Sequence, residues 1–295
     1  MESVFYIHIA VLTIAALAAF FPMSRKPLTA DDGNWFYLPI FYHHGVRLFK
    51  GYDCCGYFGV PWLATVFTRM VGRCDATMFK WFKIIWYVVT AWSVYLLAVT
   101  FWRDPSVALA AGLFFIAVVA MPDTYFYLTY GEHCYLLPSN LCLVFLCCGI
   151  QGGGWWNFPA AGIMAGLAIH IKMTMFLSAF MVLAAIILFV SLTQGLVFLG
   201  GILLVIVIPI FVIRSYSGDV RAYISGLVGP GLVVLSIISE KVPLLKKILA
   251  VPERLLDLKP GYGQYIRTGY QQRRQHEGHI IERNLRKPCG DLRLL

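Results

Sequence analysis

Long apolar segments separated by short polar turns run through most of this chain. Hydrophobic residues make up 59% of its 295 residues and charged residues only 13%, whereas a soluble domain is about 25% charged. So few charges cannot cover the surface of a soluble globular enzyme, and so apolar a chain does not remain disordered in water. The sequence therefore predicts an integral membrane protein with several spans.

The apolar segments predict about eight transmembrane helices, because a helix needs about 20 apolar residues to cross the hydrocarbon core. The segments are 4–21, 77–102, 105–121, 139–150, 158–171, 173–192, 195–213 and 222–238. The fourth reaches spanning length if its helix begins near Glu132. The predicted fold class is an all-α integral membrane protein, with a transmembrane domain over 1–240 and a basic, cytoplasmic tail over 241–295.

The distribution of positive charge predicts the orientation in the membrane. Residues 241–295 carry +7 of the formal net charge of +9. Next to membrane spans such a segment indicates a cytoplasmic end rather than a nucleic-acid site, so no nucleic acid is expected as a partner. With a cytoplasmic N-terminus, the loops 23–76 and 122–138 share the opposite face, outside a cell inner membrane or in the lumen of the endoplasmic reticulum.

The first of these loops contains two neighbouring acids, Asp31 and Asp32. They suit either a helix N-cap in a solvated loop or a general base at the mouth of a cavity. A second carboxylate in a region of low dielectric raises the proton affinity of the first, which suits a base. Residues 34–50 mix aromatic, apolar and basic side chains and predict an interfacial amphipathic helix. The apolar piece 61–71 is too short to span.

Lys172 lies between two strongly apolar segments. A cation in this position either extends to the lipid headgroups or binds an anionic group such as a phosphate. Arg214 suits the same role, although a solvated loop explains it equally well. Glu132 and His133 lie in the loop 122–138, on the same predicted face as the paired acids.

Several further features of the chain predict packing rather than chemistry. His170 lies two residues before Lys172 and is expected to be a core histidine. Gly162 and Gly166 form a G-x-x-x-G pattern, which predicts a helix face that packs closely on another helix. Cys142, Cys147 and Cys148 lie in an apolar run and are expected to behave as small hydrophobic side chains. A disulfide from Cys54 or Cys55 to Cys74 or Cys134 is possible in an oxidising compartment.

The sequence lacks the motifs of the common soluble enzyme classes, including G-x-x-x-x-G-K-[ST], H-E-x-x-H and G-x-S-x-G. The glycines at 152–154 do not follow a predicted strand, so they do not indicate a nucleotide-binding loop. The cysteine spacing fits no common zinc site. No metal or other cofactor is expected, and a divalent cation has no support.

Several short motifs resemble the GT-C polytopic glycosyltransferases, and are similar to those of the protein-mannosyltransferase and aminoarabinose-transferase families. The motifs are Asp31-Asp32-Gly33-Asn34-Trp35-Phe36, Gly45, Gly51-Tyr52-Asp53, Gly59-Val60-Pro61, Gly72, and the helix 160–168 followed by Lys172. The resemblance covers about residues 30–215. It implies transfer of a sugar from a polyprenyl- or dolichyl-phosphate carrier to a glycan, lipid or protein acceptor on the external or lumenal face, with inversion at the anomeric carbon.

The resemblance also implies roles for individual residues. Asp31 would be the base that deprotonates the acceptor hydroxyl, and Asp32 would occupy the position of a second acid. Lys172, with Arg214 as a second candidate, would stabilise the carrier phosphate. Glu132 and His133 would line the acceptor side.

The chain is shorter than most members of these families and ends in a polar, basic tail. It is therefore expected to be a minimal or truncated member, or a non-catalytic accessory membrane subunit of a larger complex. A transporter or flippase is the least favoured alternative, because such proteins often contain repeated halves and this sequence shows no internal repeat.

Overall fold

A computed structural model describes residues 2–25, 59–121, 131–172, 174–221, 223–224 and 227 of the chain. Within these ranges the regular secondary structure is helical, which confirms the predicted all-α class. Eight α-helices have described bounds: α1 (Glu2–Phe20), α2 (Gly59–Val71), α3 (Ala76–Trp102), α4 (Pro105–Ala120), α5 (Leu136–Ile150), α6 (Asn157–Ile171), α7 (Met175–Phe189) and α8 (Leu192–Ser215). Short 3-10 segments occupy Phe21–Arg25 and Gly131–Tyr135. The predicted helix over 34–50 and the predicted tail 241–295 lie outside the described residues.

The turn between α3 and α4 illustrates how the local sequence determines the helix ends. Arg103 ends α3 in the left-handed region at φ 56°. Asp104 then caps α4, because its carboxylate accepts a hydrogen bond from the Ser106 amide at 2.8 Å. Pro105 occupies the first turn of α4, where its missing N–H leaves no partner unsatisfied. The two helices consequently reverse direction within two residues and pack side by side.

Asp75 caps the start of α3 in the same way. Its carboxylate accepts a hydrogen bond from the Met78 amide at 2.8 Å and forms an ion pair with Arg73 at 2.7 Å. The hydrogen bond from the Met78 backbone, followed by the contact with Arg73, lowers the pKa of Asp75 below its ordinary value of 3.8. The ionised carboxylate therefore stabilises the start of the longest described helix.

Asp75→Ala is expected to lower the free energy of unfolding at pH 7 by about 1 kcal/mol, the usual contribution of an N-cap. Because the pKa is lowered in the folded state, this contribution is complete above about pH 4 and is lost as the pH falls through the folded-state pKa. Unfolding in mixed detergent micelles at pH 7 and at acid pH measures the difference between variant and wild type. A difference that does not shrink at acid pH would show that the carboxylate is not its source.

The helices pack in a continuous order across the described part of the chain. α1 contacts α3 and α4, α3 contacts α5, α5 contacts α6, and α6 contacts α8, which also contacts α7. The buried core between α1, α3 and α4 is formed by Leu12, Ala16, Phe20, Ile84, Tyr87, Val88, Ala91, Tyr95, Ala98, Ala108, Ile116 and Val119.

The contact between α6 and α8 confirms the packing face predicted from the G-x-x-x-G pattern. A Cβ atom on Gly162 would collide with the carbonyl oxygen of Phe198, and one on Gly166 would lie 2.9 Å from Cβ of Val205. Two helix backbones approach this closely only where side chains are absent. From Gly162 to Gly166 along α6, the contacted residue advances from Phe198 to Val205 along α8. The two helices therefore run parallel.

Many large apolar side chains on the outside of the helices are exposed, as expected for contact with lipid. Phe189 is 85% exposed and Leu188 75%. By length and composition, four segments are able to cross a membrane: Ser3–Phe20, Ala76–Trp102, His133–Ile150 and Leu192–Ser215. The apolar helices α4, α6 and α7 are shorter. These features support an integral membrane protein, while the number of crossings stays a prediction because most of 222–238 lies outside the described residues.

Candidate functional site

The two ends of the first loop lie at the same end of the helical bundle. Lys80, early in α3, donates a hydrogen bond from Nζ to the carbonyl oxygen of Ser24 at 3.1 Å, just beyond α1. Where the chain returns, Gly59 at the start of α2 touches the last turn of α6, and a Cβ there would lie 2.6 Å from the carbonyl oxygen of His170. We call this end of the bundle the loop end. Asp31 and Asp32, in the loop between these points, lie outside the described residues.

The second predicted loop also reaches the loop end. Its last residues form the 3-10 segment Gly131–Tyr135, which leads into α5. The carbonyl oxygen of Cys134 accepts a hydrogen bond from Nε1 of Trp86 at 3.1 Å. The Cys134 side chain is buried in an apolar cluster that joins α2, α3 and the end of α6, formed by Val60, Ala64, Phe79, Phe82, Cys134 and Ile171. The described ends of both loops therefore lie at the same end of the bundle. This is expected for two loops that are predicted to lie on the same face of the membrane.

Lys172 lies at the loop end, directly after α6. Its backbone is extended, at φ −143° and ψ 108°, and its amide donates to the carbonyl oxygen of Ala168 at 2.8 Å. Its Nζ lies 5.2 Å from the centroid of the Tyr135 ring, within the range of a cation–π contact. The half-buried Lys172 therefore contacts the segment that leads into α5 through its ammonium group.

The remaining predicted site residues are Glu132, His133 and Arg214. Glu132 and His133 belong to the same 3-10 segment as Tyr135, and His133 is half-buried. The side chain of Glu132 is outside the described part of the structure. Arg214 is exposed near the end of α8. Because α8 runs parallel to α6, Arg214 lies at the same end of the bundle as Lys172, on a helix that extends further.

Lys83 is a basic residue of the loop end that the sequence analysis overlooked. It is only 4% exposed and lies on the face of α3 that also carries Phe79, Phe82 and Trp86. Its Nζ lies 6.0 Å from the centroid of the Phe79 ring. A lysine inside an apolar segment is itself a signal of function, so its position within 77–102 was sufficient to select it.

His170 is buried, as predicted for a core histidine, but its partner was not foreseen. Tyr223, which follows α8, is fully buried and places its hydroxyl 2.8 Å from Nε2 of His170. The two residues are 53 positions apart in sequence, so no local pattern indicates that they meet.

The structure describes some of the cysteines considered in the sequence. Within the described ranges, no three histidine, cysteine or acidic residues are grouped so that they would hold a metal ion, and the expectation about metals stays a prediction. Cys74 is a free thiol, and burial raises its pKa above the ordinary value. Cys142 is buried, as expected for a small hydrophobic side chain. Cys54 and Cys55 lie outside the described residues.

Taken together, the loop end contains a half-buried cation in contact with an aromatic ring and a second, more deeply buried lysine. Both are held on the ends of packed helices, where the segments from two loops converge. Lysine side chains are the kind of group that interacts favourably with an anionic phosphate.

Comparison with known families adds an independent finding. The family model described as dolichyl-phosphate-mannose-protein mannosyltransferase matches residues 58–213, which is more than half of the chain. The matched segment contains α2 to α7 and nearly all of α8, and therefore includes Lys83, Tyr135 and Lys172. It begins after Asp31 and Asp32 and ends just before Arg214. No curated protein and no solved structure matches the chain.

Proposed function

The chain belongs to the dolichyl-phosphate-mannose-protein mannosyltransferase family of membrane glycosyltransferases, and we propose that its loop end transfers a sugar from a polyprenyl- or dolichyl-phosphate donor to an acceptor hydroxyl. The observation that carries this proposal is the position of Lys172. Its ammonium group lies against Tyr135 at the loop end, inside the matched segment. The donor is a phosphodiester with a negative charge, and a fixed cation beside it is what its recognition requires.

In the proposed reaction, Asp31 accepts the proton of the acceptor hydroxyl while the hydroxyl oxygen attacks the anomeric carbon. The bond between that carbon and the phosphate oxygen breaks on the opposite face, so the configuration inverts and the lipid phosphate leaves. Lys172 stabilises the charge that develops on the leaving phosphate, with Arg214 as a second candidate for this role. Asp32 favours proton uptake by its neighbour, and Glu132 and His133 line the acceptor side.

The proposed reaction takes place on the external or lumenal face, with the N-terminus in the cytoplasm, in a cell inner membrane or the endoplasmic reticulum membrane. The acceptor is a glycan, lipid or protein. The chemistry described needs no metal ion, because a lysine and a carboxylate supply the cation and the base.

The proposal is tested with the full chain reconstituted in liposomes and three radiolabelled donors: dolichyl-phosphate mannose, undecaprenyl-phosphate mannose and a nucleotide-linked mannose. We expect label to move to acceptors from at least one lipid-linked donor and not from the nucleotide-linked one. Absence of transfer from both lipid donors would contradict the proposal. Movement of the intact donor across the bilayer would then favour a flippase, and co-purification in fixed stoichiometry with an unrelated complex would favour an accessory subunit.

Lys172→Met is expected to lower kcat/KM for the lipid-linked donor about a hundredfold, the usual effect of removing one group that stabilises a developing negative charge. Lys172→Arg retains the cation and is expected to lose less. Lys80→Met is the matched control, since Lys80 also lies at the loop end but bonds a backbone carbonyl. Equal losses in the Lys172→Met and Lys80→Met variants would show that only general charge at this face matters.

A further inference from the structure

Both nitrogens of the His170 ring, in the last turn of α6, have a hydrogen-bond partner. Nδ1 lies 2.9 Å from the carbonyl oxygen of Gly166, and Nε2 lies 2.8 Å from the hydroxyl of Tyr223. A carbonyl oxygen only accepts, so Nδ1 carries the proton and donates it. In the neutral imidazole, Nε2 then accepts a hydrogen bond from the Tyr223 hydroxyl. His170 is 6% exposed and Tyr223 is fully buried, so water does not replace these partners.

The Tyr223 hydroxyl also contacts α8. It lies 2.9 Å from the carbonyl oxygen of Ile206, in the turn before Pro209. A hydroxyl has one proton, and here two acceptors lie within reach, His170 Nε2 and this carbonyl, so with a neutral imidazole it donates to one of them at a time or is shared between them. The Tyr223 hydroxyl therefore lies in contact with the last turn of α6 and with the middle of α8, and it belongs to the segment that follows α8.

His170 and the two residues after it contact the described ends of both loops. The carbonyl oxygen of His170 faces Gly59, where the chain returns from the first loop. Ile171 is buried in the apolar cluster with Cys134, and Lys172 follows with its ammonium group on Tyr135. Any rotation of this last turn of α6 would break a hydrogen bond to a buried partner, which is costly.

We propose that Tyr223 and His170 are positioning residues that hold Lys172 against the donor phosphate and hold the first loop where it returns at Gly59. The kinetic part of this inference rests on the proposed function. Neither residue touches the substrate in this scheme, because both are buried behind the last turn of α6. They act through the backbone that carries Lys172.

Tyr223→Phe removes the hydroxyl and keeps the ring, and its expected effect is a roughly tenfold rise in KM for the lipid-linked donor. The donor phosphodiester is already charged in the ground state, so a displaced cation weakens its binding. A variant that was merely less stable would instead lower the apparent kcat, since less protein would be folded. A rise in KM is therefore the readout that separates positioning from stability.

Two substitutions of His170 separate its two hydrogen bonds. The amide of His170→Asn lies near the position of Nδ1, so it retains the bond to Gly166 and loses that to Tyr223. The amide of His170→Gln reaches the position of Nε2 and retains the bond to Tyr223. We expect the asparagine variant to resemble Tyr223→Phe and the glutamine variant to keep most of the wild-type donor KM. The double variant with Tyr223→Phe and His170→Asn is expected to be no worse than Tyr223→Phe alone, because Tyr223→Phe already removes the contact that His170→Asn removes.

The chain contains a matched control for these variants. Tyr95 is 1% exposed and places its hydroxyl 3.3 Å from Nδ1 of His8, far along α1 and α3 from the loop end. Tyr95→Phe therefore removes a buried hydroxyl that also pairs with a histidine, and it is expected to leave the donor KM unchanged. A similar rise in KM in both tyrosine variants would overturn the positioning role.

A second measurement does not depend on transfer activity. The amide of Lys172, which donates to Ala168, and its neighbours in 166–172 are expected to exchange hydrogen faster in Tyr223→Phe and at the wild-type rate in Tyr95→Phe. Unchanged exchange in Tyr223→Phe would overturn the inference, and so would faster exchange with an unchanged donor KM. If the wild type transfers no sugar at all, the proposed function fails, and so does the kinetic part of this inference. The exchange experiment still decides whether the hydrogen bond holds the end of α6.

Discussion

Asp31→Asn is expected to abolish sugar transfer, with a loss of kcat of about a thousandfold, while the chain remains folded and inserted in the membrane. Asparagine has nearly the same shape as aspartate, but it cannot accept the proton of the acceptor hydroxyl. Asp32→Asn is expected to cost less, because it changes only the electrostatic surroundings of the base. The measurement is the initial rate of label transfer from the lipid-linked donor at saturating donor concentration, normalised to the amount of folded protein.

Asp75→Asn is the control for this experiment. Asp75 lies at the same end of the bundle, at the start of α3, and asparagine also caps helices well. Its replacement therefore removes one carboxylate from the same face with little effect on folding, and it should leave the transfer rate near the wild-type level. Full activity of Asp31→Asn would exclude Asp31 as the base. A larger loss in Asp32→Asn than in Asp31→Asn would assign the base to Asp32.

Gly162→Ala is expected to destabilise the protein by about 3 kcal/mol, at the upper end of the usual cost of overpacking. The new methyl group would collide with the carbonyl oxygen of Phe198, which is backbone and cannot move aside as a side chain would. Gly201→Ala is expected to have a similar effect, since its methyl group would collide with the carbonyl oxygen of Pro159. Both substitutions separate α6 from α8, the most extensive helix contact in the described part of the chain.

Gly200→Ala provides the matched control, because a Cβ at Gly200 meets nothing within 4 Å. In a helix, alanine is favoured over glycine by roughly 1 kcal/mol, so this variant should be as stable as the wild type or slightly more stable. Thermal unfolding of the detergent-solubilised variants, followed by size-exclusion chromatography, gives the comparison. Equal melting temperatures for Gly162→Ala and Gly200→Ala would contradict the close packing of α6 on α8.

These two experiments address different levels of the molecule. The substitution of Asp31 tests whether a carboxylate in the first loop accepts the proton of the acceptor hydroxyl, and it should leave the helices unchanged. The substitution of Gly162 tests the packing that carries Lys172, because α6 ends directly before that residue. If Lys172 binds the donor as proposed, we expect a milder displacement of α6 to reduce donor binding before it unfolds the protein.

Much of the fold could be predicted because its determinants are local or periodic. Apolar segments of sufficient length require membrane spans, and the bounds of the helices follow from turns such as Arg103-Asp104 and from the glycines between α5 and α6. The close-packing face at Gly162 and Gly166 was also visible, since residues four apart share a helix face. The sequence did not indicate that this face packs on α8, because a face of small residues packs closely on any helix that has a similar face.

The candidate site was only partly predictable for a related reason. A lysine between apolar segments indicates a function, so Lys172 could be selected, and the same rule applied to α3 would have selected Lys83. The contact of Lys172 with Tyr135 depends on the place where the 3-10 segment Gly131–Tyr135 packs against the end of α6. No spacing in the sequence predicts that contact.

By itself, the sequence determined the all-α membrane class, the helix bounds within a few residues, and the residue types at the proposed site. These properties depend on hydrophobic length, helix capping and the helical repeat, which act over one or two turns. Only the tertiary structure decided that Tyr223 reaches His170, that Lys83 is buried beside the Phe79 ring, and that Tyr135 lies against Lys172. Those contacts depend on how several helices pack together, and packing between distant segments is a property of the whole bundle rather than of any local pattern.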